Sequence, residues 1–110
     1  MYHENLQIWK RGLLNTKNLY KILAKVDKRE FYSLIDQIKR CSLSIPSNIA
    51  EGSARDSYKE FRRFLAISLG SSAELQTQLQ LLKELVPNLE LESIMTVSYT
   101  HLTLPTTPYV

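Results

Sequence analysis

Apolar residues recur in steps of three and four along most of the chain, with short polar connections between the repeats. From Glu4 to Val26 the positions are Leu6, Trp9, Leu13, Thr16, Tyr20 and Leu23. That spacing puts them on one face of a helix, the seam of a bundle. Gly12 lies within the segment and weakens it locally, by up to about 1 kcal/mol relative to alanine. Lys25 to Glu30 is a polar connection in which Asp27 can cap the next helix. From near Lys28, a second face collects Phe31, Leu34, Ile35, Ile38, Ser42, Ile45 and Ile49. Pro46 falls inside this pattern. It cannot donate to the Ser42 carbonyl and its ring crowds that carbonyl, so a kink is expected there. Gly52 is expected to end the helix in the left-handed conformation.

After a polar turn at Ser53 to Ser57, Asp56 or Ser57 can cap a third helix, and Glu60 completes a capping box if Ser57 is the cap. Phe61, Phe64, Leu65, Ser68, Ser72, Leu75, Leu79, Leu82 and Val86 sustain the longest repeat, and Pro87 stops it. Such a helix would measure roughly 45 Å at the α-helical rise. Ser68, Gly70, Ser71 and Ser72 form a small-residue stretch that would let another backbone approach closely. Helices are therefore expected near 4–26, 29–51 and 57–86, packed through Leu13, Tyr20, Ile38, Ile45, Phe64, Leu75 and Leu82, with no β-structure. Leu89, Leu91, Ile94 and Met95 begin a fourth amphipathic segment that runs out after two turns.

From Val97 the character changes to an uncharged, threonine-rich and proline-containing tail with no helical period. The stretch Ser98 to Thr106 can be written in codons as TCT TAT ACA CAT CTG ACG CTG CCG ACG. That string resembles the adapter of transposon-based sequencing libraries. On this reading residues 1–96 are one domain, truncated at its C-terminus, and 97–110 are a non-native, disordered translation of adapter. The alternative is a natural disordered tail.

The chain has 110 residues, 44% of them hydrophobic, which suits one domain with a modest core. A uniform apolar run long enough for a membrane span is absent, as is the apolar stretch of a secretory leader. One cysteine, Cys41, excludes an internal disulfide, fits a reducing cytoplasm, and reads as a small core thiol. The net charge of +3 is unevenly spread. Residues 1–63 hold 13 of the 14 Lys/Arg and 7 of the 11 Asp/Glu, a net +6, whereas 64–110 hold Lys83 and four acids, a net −3. The asymmetry points the first half toward an acidic partner, or reflects an ordinary solvated surface. No metal cluster, nucleophile–base pair or phosphate loop is present, so an enzyme with a cofactor or small-molecule substrate is not expected.

The middle of the chain carries the most recognisable motif, Ser44-Ile45-Pro46-Ser47-Asn48-Ile49-Ala50-Glu51-Gly52. It is flanked by Leu6-Gln7-Ile8-Trp9, by Gln37-Ile38-Lys39-Arg40, by the block from Lys59 through Phe64 to Leu65, and by Gly70-Ser71-Ser72-Ala73-Glu74-Leu75. Together these blocks resemble the bacterial four-helix-bundle family that includes the 23S rRNA intervening-sequence proteins. The resemblance runs from about Leu6 to Leu91. It implies an antiparallel up-and-down four-helix bundle, here with its fourth helix truncated, and ring-like homo-oligomers, often pentamers. Some members are encoded inside insertions in ribosomal RNA genes, and relatives that assist diversity-generating retroelements engage nucleic acid. No general catalytic activity comes with the resemblance.

Several basic residues are candidates for phosphate contact. Lys10, Lys17, Lys21 and Lys28 are spaced by seven, four and seven residues, and Lys25 lies nearby. At the helical angle per residue they fall in a sector of roughly 40° beside the seam. Such a row can follow a phosphate backbone by charge alone, although lysine stripes also occur on plain solvated faces. Lys59, Arg62 and Arg63 lie opposite the third seam, Lys39 flanks the second, and Arg40 points away from it. Arginine forks suit phosphates or carboxylates, and Arg40 has Glu74 or Glu51 as structural partners. Asn48 and Glu51 sit around the proline and read mainly as packing devices. Trp9 and Tyr20 read as core anchors, while Tyr2, Tyr32 and Tyr58 lie off the seams as surface aromatics. The expected function is a non-enzymatic, cytoplasmic homo-oligomer that binds nucleic acid, RNA in preference to DNA, through its basic face. The alternative is a homo-oligomeric scaffold for another protein, using the long seam and the Ser68–Ser72 face.

Overall fold

A computed structural model of the protein describes His3 and residues 6–91. The tail at 97–110 and the fourth-segment positions Ile94 and Met95 lie outside the described residues. Three helices follow one another: α1 (Gln7–Leu23), α2 (Lys28–Ser53) and α3 (Tyr58–Leu85). There is no strand among the described residues.

The helix starts follow from local chemistry. The Asp27 side chain accepts from the Arg29 N–H at 2.9 Å and caps α2. Ser57, not Asp56, caps α3, its Oγ accepting from the Glu60 N–H at 3.2 Å. These bonds satisfy N–H groups that a helix's first turn leaves without partners. α3 closes with the Val86 N–H on the Leu82 carbonyl, and Pro87 follows in the turn beyond.

α2 is the central element. α1 and α3 each pack against it, and their backbones do not approach each other closely. Leu19, Leu23, Ile38, Ile49, Leu75, Leu79, Leu82 and Leu91 are fully buried in one shared core. Each such side chain is worth roughly 1.5–3 kcal/mol of removed apolar surface. Ile45 and Phe64 join them as buried residues, so the expected seams of α2 and α3 are observed.

The seam of α1 is the expected one only in part: Leu6, Thr16 and Leu23 are buried and Trp9 is half-buried against the core, but two positions depart. Leu13 is 46% exposed and Tyr20 41%, whereas Leu19, absent from the expected seam, is 0% exposed. The helix is rolled so that Gly12, Thr16, Leu19 and Leu23 face inward. Two contacts with α2 set this roll. A Cβ placed on Gly12 would stand 3.5 Å from the Pro46 ring, so glycine lets the two helices meet at the proline. Thr16 Oγ1 lies 3.2 Å from the Ser42 carbonyl, 2.9 Å from Ser42 Oγ and 2.9 Å from the Gly12 carbonyl. The Ser42 carbonyl is the one Pro46, lacking an N–H, leaves without its helical partner. The buried Thr16 hydroxyl therefore supplies the missing donor from the neighbouring helix.

Two expectations for α2 are corrected. Pro46 keeps helical dihedrals, and the break in the helix falls at Phe31 (φ −115°, ψ 24°) in the first turn. Gly52 is helical and its φ is not positive; α2 runs on to Ser53 and ends at Ala54. Its glycine serves packing instead. An added Cβ would meet Phe64 Cβ at 2.6 Å and Phe61 Cδ1 at 3.2 Å.

The serines of α3 close the α2–α3 interface. Ser68 Oγ donates to the Ile45 carbonyl at 3.0 Å, and Ser44 Oγ reaches Ser71 Oγ at 2.8 Å. Cys41 Sγ donates to the Ser71 carbonyl at 3.1 Å. Burial, with a smaller contribution from Glu74, pushes the Cys41 thiol up to about 11, which leaves it a neutral, unreactive core group. Ser68 and Ser72 are buried within the chain's own interface, and Gly70 faces open space.

Chemical unfolding tests these contacts. Thr16→Val keeps the shape but orphans the Ser42 carbonyl and should cost about 1–3 kcal/mol. Gly52→Ala should cost about 1–3 kcal/mol through overpacking against Phe64. Wild-type midpoints for both variants would contradict the two contacts.

Candidate nucleic-acid interface

α1 has three faces. Gly12 and Thr16 meet α2, Ile8, Leu19 and Ile22 pack on the core, and the remaining arc faces outward. Lys10, Lys17 and Lys21 stand exposed on that outer arc. No carboxylate of a described residue lies within ion-pair distance of them. They rise among Leu13 and Leu14, the latter 53% exposed, and beside Trp9 and Tyr20. Together these side chains line a surface concavity of about 610 Å³. Trp9 is half-buried, with the His3 ring edge-on at 4.9 Å. Lys39 of α2 places Nζ 5.0 Å above the Tyr20 ring and holds it against the α1–α2 junction. Tyr20 is thus a surface residue, not the core anchor that periodicity suggested.

The stripe is shorter than the sequence spacing implied. α1 ends at Leu23, Lys25 lies in the turn, and Lys28 is the first residue of α2. A single helical register therefore covers Lys10, Lys17 and Lys21 and does not carry through to Lys28.

The arginines are differently placed. Arg40 Nε binds Asp36 Oδ2 at 3.0 Å, one turn back on the same helix, rather than Glu74 or Glu51. Glu51 instead takes Arg55 at 2.9 Å. Arg63 makes two bonds to Glu60, at 3.0 and 3.2 Å, and the first of these holds the Glu60 carboxyl below its ordinary value. The Phe64 ring has Arg63 Cζ at 4.5 Å and Arg55 Cζ at 5.1 Å, while Arg62 lies 5.9 Å from the Tyr58 ring. Exposed pairs of this kind add little stability, but they engage the guanidinium forks. Lys59 is exposed near the start of α3, on a different helix from the α1 row.

The central motif serves the fold. Ser44 Oγ donates within α2 to the Cys41 carbonyl at 2.7 Å, and Asn48 Nδ2 donates to the Ser44 carbonyl at 2.7 Å. Ile45, Pro46, Ile49 and Gly52 are buried, Ala50 is half-buried, and Glu51 is exposed. Glu74 accepts from Gln78 Nε2 at 3.3 Å, and Leu75 is in the core. Tyr32 and Tyr58 are exposed; Tyr2 lies outside the described residues. Sequence reasoning missed the apolar half of the outer face. The Leu13-Leu14 doublet was its signal, because residues about 100° apart cannot share one narrow seam.

Among the described residues no group of three or more His, Cys, Asp or Glu could hold a metal ion. None of the helices is long and apolar enough to cross a membrane. Fold and surface together define an all-helical protein whose outer helix presents unpaired lysines among exposed apolar side chains. The family model described as 23S rRNA-intervening sequence protein matches residues 4–94, and the chain belongs to that family. No curated protein matches the chain.

The roll of α1 has a direct test by mutation. Leu13→Gln should change the unfolding free energy by about 1 kcal/mol or less, as surface changes do. Leu19→Ala should cost about 2–5 kcal/mol. The opposite ranking would restore the seam expected from periodicity.

Proposed function

We propose that the protein is a non-enzymatic, RNA-associating helical bundle that touches phosphates through the outer face of α1. The observation that carries this reading is the row of Lys10, Lys17 and Lys21 on one face of α1, with no carboxylate of a described residue in ion-pair distance, whereas Arg40, Arg55 and Arg63 are held by Asp36, Glu51 and Glu60. Lysine ammonium groups act on phosphates as point charges and do not read bases. The family's link to ribosomal RNA insertions supports RNA over DNA.

A four-helix bundle and a ring-like homo-oligomer, a pentamer among the candidates, belong to the same proposal. The backbones of α1 and α3 both lie close to α2 but not to each other, which is compatible with a fourth helix between them. Leu91, at the start of that segment, is fully buried in the core. A cytoplasmic setting belongs to the same proposal, since a single cysteine fits a reducing compartment. Exposed Ile67, Leu81 and Leu85 on α3 favour, as a second reading, a scaffold that docks a protein there.

A salt titration against unrelated RNA sequences tests the proposal. The log–log slope should be about −0.7 per neutralised phosphate on single strands and about −0.9 on duplex DNA. Changing Lys10, Lys17 and Lys21 together to glutamine should weaken all sequences about equally and flatten the slope by roughly three contacts' worth. Circular dichroism and sizing control for fold and assembly. Absence of binding at low salt, or an unchanged slope in the folded triple variant, would overturn it.

The adapter reading of 97–110 stands as a proposal too, and the family match ends at residue 94, short of Val97. A genomic clone of the locus should depart from the given sequence near Thr96 and continue a fourth amphipathic helix. A clone that encodes Val97–Val110 unchanged would refute it.

A further inference from the structure

We infer that the outer face of α1 is a site for single-stranded RNA in preference to duplex RNA, an inference that rests on the RNA-associating reading above. That face offers more than charge. Leu13, Leu14 and Tyr20 are each about half exposed, and Trp9 borders them in the same concavity. The other flank of α1, with Ile8, Leu19 and Ile22, is the one turned to the core. A helix added between α1 and α3 would sit on that inner flank and leave the outer face uncovered.

A duplex would use this surface poorly. Its outside presents phosphates and sugars, while its bases are paired and stacked within, so the apolar floor would meet nothing of its own kind. A single strand presents both parts together. Its phosphates suit Lys10, Lys17 and Lys21, and its unpaired bases offer π-faces to Tyr20, Trp9 and the leucines. The three lysines rise in one row. Lys10 and Lys17 are two helical turns apart, about 10.5 Å, and Lys17 and Lys21 about one turn, 6 Å. A row of about 16 Å accommodates a few nucleotides of extended strand. Lys39 above Tyr20 fixes the ring that the bases would meet. Stacking of this kind accepts any base, so little sequence preference is expected.

Trp9 is the chain's single tryptophan and lines the edge of the concavity while packing partly on the core, so its fluorescence reports occupancy. The experiment titrates the full chain at low salt with a short mixed-sequence single-stranded RNA and with the same strand annealed to its complement. The single strand should quench Trp9 fluorescence and bind about tenfold or more tighter than the duplex, the scale of one or two stacked bases. Tyr20→Ala and Leu14→Gln, both at exposed positions, should each weaken the single strand by about fivefold or more. Their duplex affinity should stay unchanged, with circular dichroism showing an intact fold. Equal affinity for both forms, or equal losses on both, would overturn the single-strand preference and leave the lysine reading standing. If the variants instead change the oligomeric state and not RNA affinity, the face is an interface between copies and the inference fails. If wild type binds neither RNA, the RNA-associating reading fails with it.

Discussion

A proline in the middle of α2 leaves one buried carbonyl, that of Ser42, without its helical donor, and Thr16 of α1 supplies one. The contact is small, since a satisfied hydrogen bond is worth only about 1 kcal/mol net. Leaving the carbonyl unpaired would cost about 1–3 kcal/mol, comparable to the burial of one leucine, so the contact adds to Leu19 and Leu23 in fixing the roll of α1. Gly12 makes the contact possible by letting Pro46 come to van der Waals distance. Once Thr16 and Gly12 face α2, Leu19 must enter the core, and Leu13, Lys17 and Tyr20 must turn outward.

The interface between α2 and α3 follows the same economy of small side chains. Gly52 gives room to Phe64, and Ser44, Ser68 and Ser71 carry hydrogen bonds across the junction where larger residues would separate the helices. The charged groups next to it are occupied locally, as Arg55 and Arg63 flank Phe64 and hold Glu51 and Glu60. The conspicuous motif of the sequence therefore builds the fold. The outward-facing chemistry lies on the plainer first helix.

Where a rule depends on neighbours along the chain, the sequence was readable. The Asp27 and Ser57 caps, the stop at Pro87 and the buried faces of α2 and α3 all follow from local spacing. The roll of α1 does not. Leu13, Thr16, Tyr20 and Leu23 make one stripe, and Thr16, Leu19 and Leu23 make another that overlaps it. Thr16 and Leu23 belong to both, and it is Gly12, on the Leu19 side and set against the Pro46 ring of the next helix, that selects the second. Gly52 has the same lesson, because a glycine near a helix end suggests a left-handed cap, whereas its reason lies in Phe64 on the next helix. Of the candidate site, the three α1 lysines were legible as a row. Lys28 was assigned to that row because the end of α1 was placed too late, and Arg40 lost its long-range partners to Asp36 one turn away. The apolar floor beside the lysines was hidden by the mistaken seam.

RNA bound as proposed above would cover the outer face of α1 and leave the start of α3 free. Acylation footprinting of lysines, read by mass spectrometry with and without single-stranded RNA, tests it residue by residue. Lys10, Lys17 and Lys21 should be protected, with Lys59 beyond the α2–α3 turn remaining as reactive as in the free protein. Protection of Lys59 with the three α1 lysines unprotected would contradict it.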